Sequence, residues 1–162
     1  MVVILSTFAY GAIKGAPYIP TRKNDVTAFI KLANIKPGDR FIDMGSGDGR
    51  LLFTGARLGA IATGYEISLI PYIISKLKLL FFSKKKFVKI HYSDFWNKDL
   101  GGANIVYCFL MPKFYDKLKA KLTKELKPGT KVIAYVWPIP DWEITAEERS
   151  TNSHMLYLYT MK

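Results

Sequence analysis

Apolar and polar residues follow one another along this chain with two periods, and the switches between those periods lay out its elements. Apolar residues recur at helical spacing over residues 25–33, and Asn24 or Asp25 is expected to cap that helix. Lys36-Pro37-Gly38-Asp39 then makes a turn into a short apolar strand over residues 40–44. A glycine-rich turn, 45–49, is followed by a helix over 50–58 that Gly59 closes. Residues 61–66 form a second strand, and 69–82 a long apolar helix running into Lys84-Lys85-Lys86. A third strand, 87–91, leads to Ser93-Asp94-Phe95-Trp96, and a fourth covers 105–109. Residues 113–126 read as a charged amphipathic helix. A second Lys-Pro-Gly turn at 127–129 opens a fifth strand, 131–136, and 155–160 alternates as a last one. Residues 142–149 match neither period and stay open between helix and strand.

Strands alternating with helices specify an α/β fold, a mostly parallel sheet with helices on both faces. Ligands in such sheets bind beyond the carboxyl ends of the strands. Three acids stand there in this sequence. Asp43 ends the first strand and leads Gly45-Ser46-Gly47-Asp48-Gly49. Glycines at this turn let backbone approach a ligand closely. A dinucleotide turn wants G-x-G-x-x-G, and Arg50 stands where its third glycine belongs. A leading carboxylate suits an ammonium group instead, such as that of a methionine moiety. Glu66 ends the second strand, where an acid accepts from a ribose diol. Asp94 ends the third, placed to accept from an adenine amine with Phe95 beside it. Methionine, ribose and adenine together make S-adenosylmethionine.

The acceptor side lies at the fourth strand end, Cys108-Phe109-Leu110-Met111-Pro112. It lacks the [DN]-P-P-[YF] tetrad with which amino-group nucleic-acid methyltransferases hold a planar amine. Phe109, Met111, Pro112, Tyr135, Trp137 and Trp142 offer an apolar channel for an alkyl stem, with plain core packing as the competing reading. His91 and His154 occupy no position that suits a general base.

Composition narrows the setting. The 162 residues fit one domain, 1–162, and 49% hydrophobic content is that of a packed protein. A net charge of +11, from 24 basic and 13 acidic residues, favours anionic partners, including nonspecific contact with nucleic acid, or else only solvates the surface. Cys108 is the one cysteine, so no intrachain disulfide or cysteine-based metal site can form, and no metal is expected. Glutamine is absent and lysine abundant, a hyperthermophile profile. Residues 1–13 are uncharged, shorter than the roughly twenty a membrane span needs, and lack the basic start of a signal peptide. A packed arm, no membrane span and a cytoplasmic location are expected.

Pro17-Tyr18-Ile19-Pro20-Thr21, the 43–50 turn, Gly64-Tyr65-Glu66, Asp94-Phe95-Trp96 and Glu125-Leu126-Lys127-Pro128-Gly129 together resemble one group of seven-strand protein lysine methyltransferases. That group includes mitochondrial enzymes acting on the ATP synthase c-subunit and the adenine nucleotide translocase. The short, lysine-rich chain is most similar to its crenarchaeal members, compact relatives of a histone methyltransferase. The resemblance implies a class I, Rossmann-like sheet of seven strands whose C-terminal strand is antiparallel. It implies broad action on exposed protein lysines, with small basic chromatin proteins among the substrates. The lysines over 84–86 and 113–127 are open to three readings: a guide for acidic partners, a solvated face, or targets of self-methylation. The resemblance also implies that Tyr18 and Thr21, on an arm over residues 1–24, fold over the cofactor; from there Tyr18 is expected to orient the amine. Two alternatives remain: an RNA or DNA methyltransferase, and a non-catalytic nucleic-acid-associated module of the same fold.

Overall fold

The computed structural model describes residues 21–162. Five parallel strands run β1 (Arg40–Met44), β2 (Ile61–Glu66), β3 (Val88–Tyr92), β4 (Ile105–Cys108) and β5 (Lys131–Tyr135). Two more follow, β6 (Ala146–Glu148) and β7 (Leu156–Thr160), giving the sheet order β3-β2-β1-β4-β5-β7-β6. β7 pairs antiparallel with both β5 and β6, so the antiparallel strand of the expected fold is present. The open segment 142–149 holds β6, a three-residue edge strand too short for a period to show.

Side-chain alternation builds the core on both faces at once. On one face lie Phe41, Ile105, Tyr107, Ile133, Tyr135, Leu156 and Leu158. They are covered by α1 (Lys23–Ala33), α2 (Arg50–Arg57) and α3 (Leu69–Leu80). On the other lie Ile42, Met44, Val106, Cys108, Val132, Ala134 and Tyr159, packed with Leu118 and Leu122 of α4 (Tyr115–Glu125). Short 3-10 turns, Phe95–Asn97 and Pro112–Phe114, complete that second cover.

Element boundaries moved for local reasons. The helix expected over 25–33 begins earlier, with Arg22 at its N-cap, so Lys23 and Asn24 leave the expected arm for its first turn. Neither Asn24 nor Asp25 is the cap residue. Asp25 instead reaches back from inside the helix to accept from the Arg22 backbone N–H at 3.2 Å. The helix expected over 113–126 starts as a 3-10 turn, because Pro112 fixes φ while donating nothing. α3 stops at Leu80, short of residue 82, and Phe87 closes a 3-10 turn instead of starting β3.

Candidate active site

The carboxyl ends of β1 and β2 lie side by side, with Asp43 in register with Gly64. After Met44 the backbone N–H groups of Gly45 and Ser46 both donate to the Tyr65 carbonyl, at 3.0 and 2.9 Å, which folds the glycine turn back over β2. Gly45 takes φ +108°, closed to most side chains, and a Cβ there would meet nothing within 4 Å. Gly64 is needed for the opposite reason: a Cβ would lie 2.6 Å from the Ser46 side chain and would also strike Leu52. Turn and strand therefore touch at backbone distance.

Glu66 is buried and ties this arrangement together. Its Oε2 accepts from the Gly47 N–H at 2.7 Å and its Oε1 from the Ser68 N–H at 2.6 Å. The Ser68 hydroxyl and the Ile67 N–H act on the same carboxylate. Burial raises the Glu66 pKa, although those N–H donors pull against it. Asp43 is buried too, and its Oδ1 has no hydrogen-bond partner among the described residues; neither has the hydroxyl of Ser46. Burial first, then the neighbouring charges of Glu66 and Asp48, push the Asp43 carboxyl well above its usual range. A buried acid in that state is a seat for a cation. Asp48 goes the other way: burial pushes it up, but bonds from Arg50 at 2.9 Å and Lys78 at 2.5 Å hold it down to about 2. Arg50 also donates to the Thr21 carbonyl, and Thr21 Oγ1 lies 3.4 Å from the Tyr107 hydroxyl.

Asp94 caps the 3-10 turn, its Oδ1 accepting from the Trp96 N–H at 2.9 Å. Phe95 turns into the core of the α4 face, 4.8 Å from the Trp96 ring. On the acceptor side Phe109 stacks on Trp137 (5.8 Å, 8°) and meets Tyr135 edge-on at 5.1 Å. Met111 is half-buried and Pro112 exposed, where the chain leaves this group for α4. Trp142 lies elsewhere, edge-on against Tyr159 in the core beneath α4. That packing takes it out of the expected channel.

A family model described as the ANTKMT methyltransferase domain matches residues 43–146, starting on Asp43 itself. The chain belongs to that family. It is 31% identical to a protein-lysine N-methyltransferase of Saccharolobus islandicus, covering 90% of this chain and 93% of that protein. It is 30% identical to the ATP synthase c-subunit lysine N-methyltransferase of Rattus norvegicus, covering 78% of this chain but only 58% of the rat protein. Among solved structures, an RNA methyltransferase from Salinibacter ruber in complex with S-adenosyl-L-homocysteine superimposes with a TM-score of 0.83 at 27% identity. That match covers 88% of this chain and 94% of the other. The fold is the class I methyltransferase fold, the chain is a methyltransferase, and its cofactor is S-adenosylmethionine.

The cradle fits that cofactor, with an Asp43 oxygen and a Ser46 hydroxyl unpartnered among the described residues, a buried Glu66 carboxylate at the β2 end, and open space over Gly45. The structure brings Asp43, Gly45, Ser46, Gly47 and Glu66 of this ANTKMT-family domain into one turn-and-strand cluster. Phe109, Tyr135 and Trp137 form a second cluster, while Tyr18 lies outside the described residues. One group escaped the sequence reading. Asp25, Tyr135 and His154 meet across more than a hundred residues of chain: Tyr135 Oη donates to Asp25 Oδ2 at 2.5 Å, and the His154 N–H donates to Asp25 Oδ1 at 3.0 Å. His154 Nδ1 lies 3.0 Å from the same phenol, whose proton is committed to Asp25, so that nitrogen carries the hydrogen. The only signal was an acid at a helix start, which reads as a cap.

Proposed function

We propose that this chain is a protein-lysine N-methyltransferase of broad specificity. One observation carries the reading: the acceptor side is walled by the Phe109, Tyr135 and Trp137 rings, and the β4 end offers no amide or carboxylate for a nucleobase amine. The names of the Saccharolobus and rat relatives support it. The cofactor supplies an electrophilic methyl group on a sulfonium. Asp43 and Ser46 would hold its amino-acid end, Glu66 the ribose, and Asp94 the adenine beside Phe95. Tyr18 and Thr21 would close over it.

The methyl acceptor must be a neutral amine. For a free lysine at pH 7 that costs about 4.6 kcal/mol. Exclusion of water from the channel disfavours the ammonium by desolvation, and a cationic neighbour disfavours it further. Positioning then does the catalysis and the proton leaves to water. Tyr135 does not compete for that proton, since burial first, and then its bond to Asp25, raise the phenol pKa. Cys108 is no rival nucleophile either, its thiol pushed up to about 12 by burial.

Small basic chromatin proteins are the substrates we favour, presented on nucleic acid because a +11 chain repels them when free. Incubation with labelled cofactor and such a protein should place label on lysines, read by mass spectrometry. Transfer to RNA alone would establish the second reading, which the name of the Salinibacter structure and the basic surface favour.

A further inference from the structure

α3 is apolar on two sides, and only one of them meets the sheet. Tyr72, Leu79 and the buried Ser75 face inward. Leu69, Ile73, Leu77 and Leu80 recur at three- and four-residue steps on the outer face, and Phe81 continues the line. Exposure climbs along it, from 54% at Leu77 to 65% at Leu80 and 91% at Phe81. Lys76 and Lys78 stand one position to either side of Leu77, about 100° around the helix each way. Lys84, Lys85 and Lys86 follow, and between Glu66 and Asp94 the chain carries no acid at all. The result is a convex apolar ridge in mainly cationic surroundings, with Lys78 paired at 2.5 Å to Asp48 of the glycine turn.

We infer that this ridge docks on the surface of an anionic lipid bilayer, with α3 lying in the headgroup plane. The chemistry matches on both counts. Aliphatic and aromatic tips enter the acyl boundary, while lysines extend their stems along it and keep their ammonium groups among the phosphates. A second copy fits worse, because a two-fold contact would bring the lysines of one ridge against those of the other. A projecting ridge also needs a matching groove in a protein partner, whereas lipid conforms to any shape. Among the described residues no helix is long and apolar enough to cross a membrane, so the contact lies on the surface. α3 starts at Leu69, three residues after Glu66 in sequence order, so docking holds the cofactor cradle close to the membrane. The inference does not depend on which acceptor the enzyme methylates.

Flotation of the whole chain with vesicles tests it. We expect co-flotation with phosphatidylcholine vesicles containing about one-third phosphatidylglycerol and none with phosphatidylcholine alone. The double variant Leu77→Glu, Phe81→Glu should bind at least about tenfold less, with unchanged circular dichroism, because both side chains are exposed in the native fold. Wild-type protein that floats with neither vesicle overturns the inference, and so does a double variant that floats as well as wild type. It also falls if deleting residues 1–13 abolishes flotation while the double variant keeps it. A concentration-dependent dimer that the double variant dissolves, without vesicle binding, would assign the ridge to a second copy.

Discussion

Asp43 sits with one oxygen unbonded among the described residues beside two other acids, a condition that a proton or a bound cation relieves. Its raised pKa means that the free protein holds a proton there above the ordinary carboxylate range, while a cationic cofactor favours the ionised form. The pKa is therefore lower in the complex than in the free protein. Affinity should be full above the free-state pKa and weaken as pH falls through it, starting above the ~4 typical of a carboxylate. Calorimetry across that range reads the slope, and Asp43→Asn should bind weakly with the Asp43 part of the slope gone. The same raised pKa acts on folding with a definite sign. The native state binds more protons than the unfolded one in that window, so the cofactor-free protein loses stability as pH rises through it. Glu66 is the second test. Glu66→Ala removes both acceptors for the Gly47 and Ser68 N–H groups and should cost about 1–3 kcal/mol of cofactor affinity. Unchanged affinity in a folded variant would remove Glu66 from the site.

Among the elements, α1 is joined to the far side of the sheet by one buried carboxylate. Asp25 accepts from the Tyr135 phenol on β5 and from the His154 backbone just before β7. Tyr135→Phe keeps the ring and leaves one buried oxygen short of a donor. We expect a loss of about 1–3 kcal/mol in urea unfolding. The strands were legible because β1, β4 and β5 are buried on both faces, as central parallel strands must be, and their apolar runs show it. The Asp43 turn was legible because glycine and acid types are dictated by local backbone. The Asp25 network was not, since its partners are 110 and 129 residues away and each looks ordinary alone. α3 misled in the opposite way. A helix with apolar residues on most of its circumference does not show by periodicity which half meets the core.

The whole molecule carries +11, distributed so that α3 and the segment after it are cationic without interruption. Polyanion binding should follow, and it should fall steeply with salt as counterion release predicts. Methyl transfer to lysine in a free, uncharged peptide should barely change over the same salt range. A filter-binding titration run beside a transfer assay separates the two, and an equal salt slope in both would mean that the acceptor itself is held by charge.

The position of β7 has a consequence for how the protein is made. It lies between β5 and β6, yet it is drawn from residues 156–160, after every other strand. A ribosome that has extruded β1 to β6 holds a sheet with one side of β5 bare and β6 with nothing to bond. The bond from His154 to Asp25 of α1 waits as well, because His154 arrives just before β7. Folding is thus deferred until synthesis has passed residue 160, and in the interval the nascent chain exposes a β5 edge with Val132, Ile133 and Ala134 at its centre. Of all the strands, this late one governs how long the growing polypeptide depends on the cell's protection against aggregation.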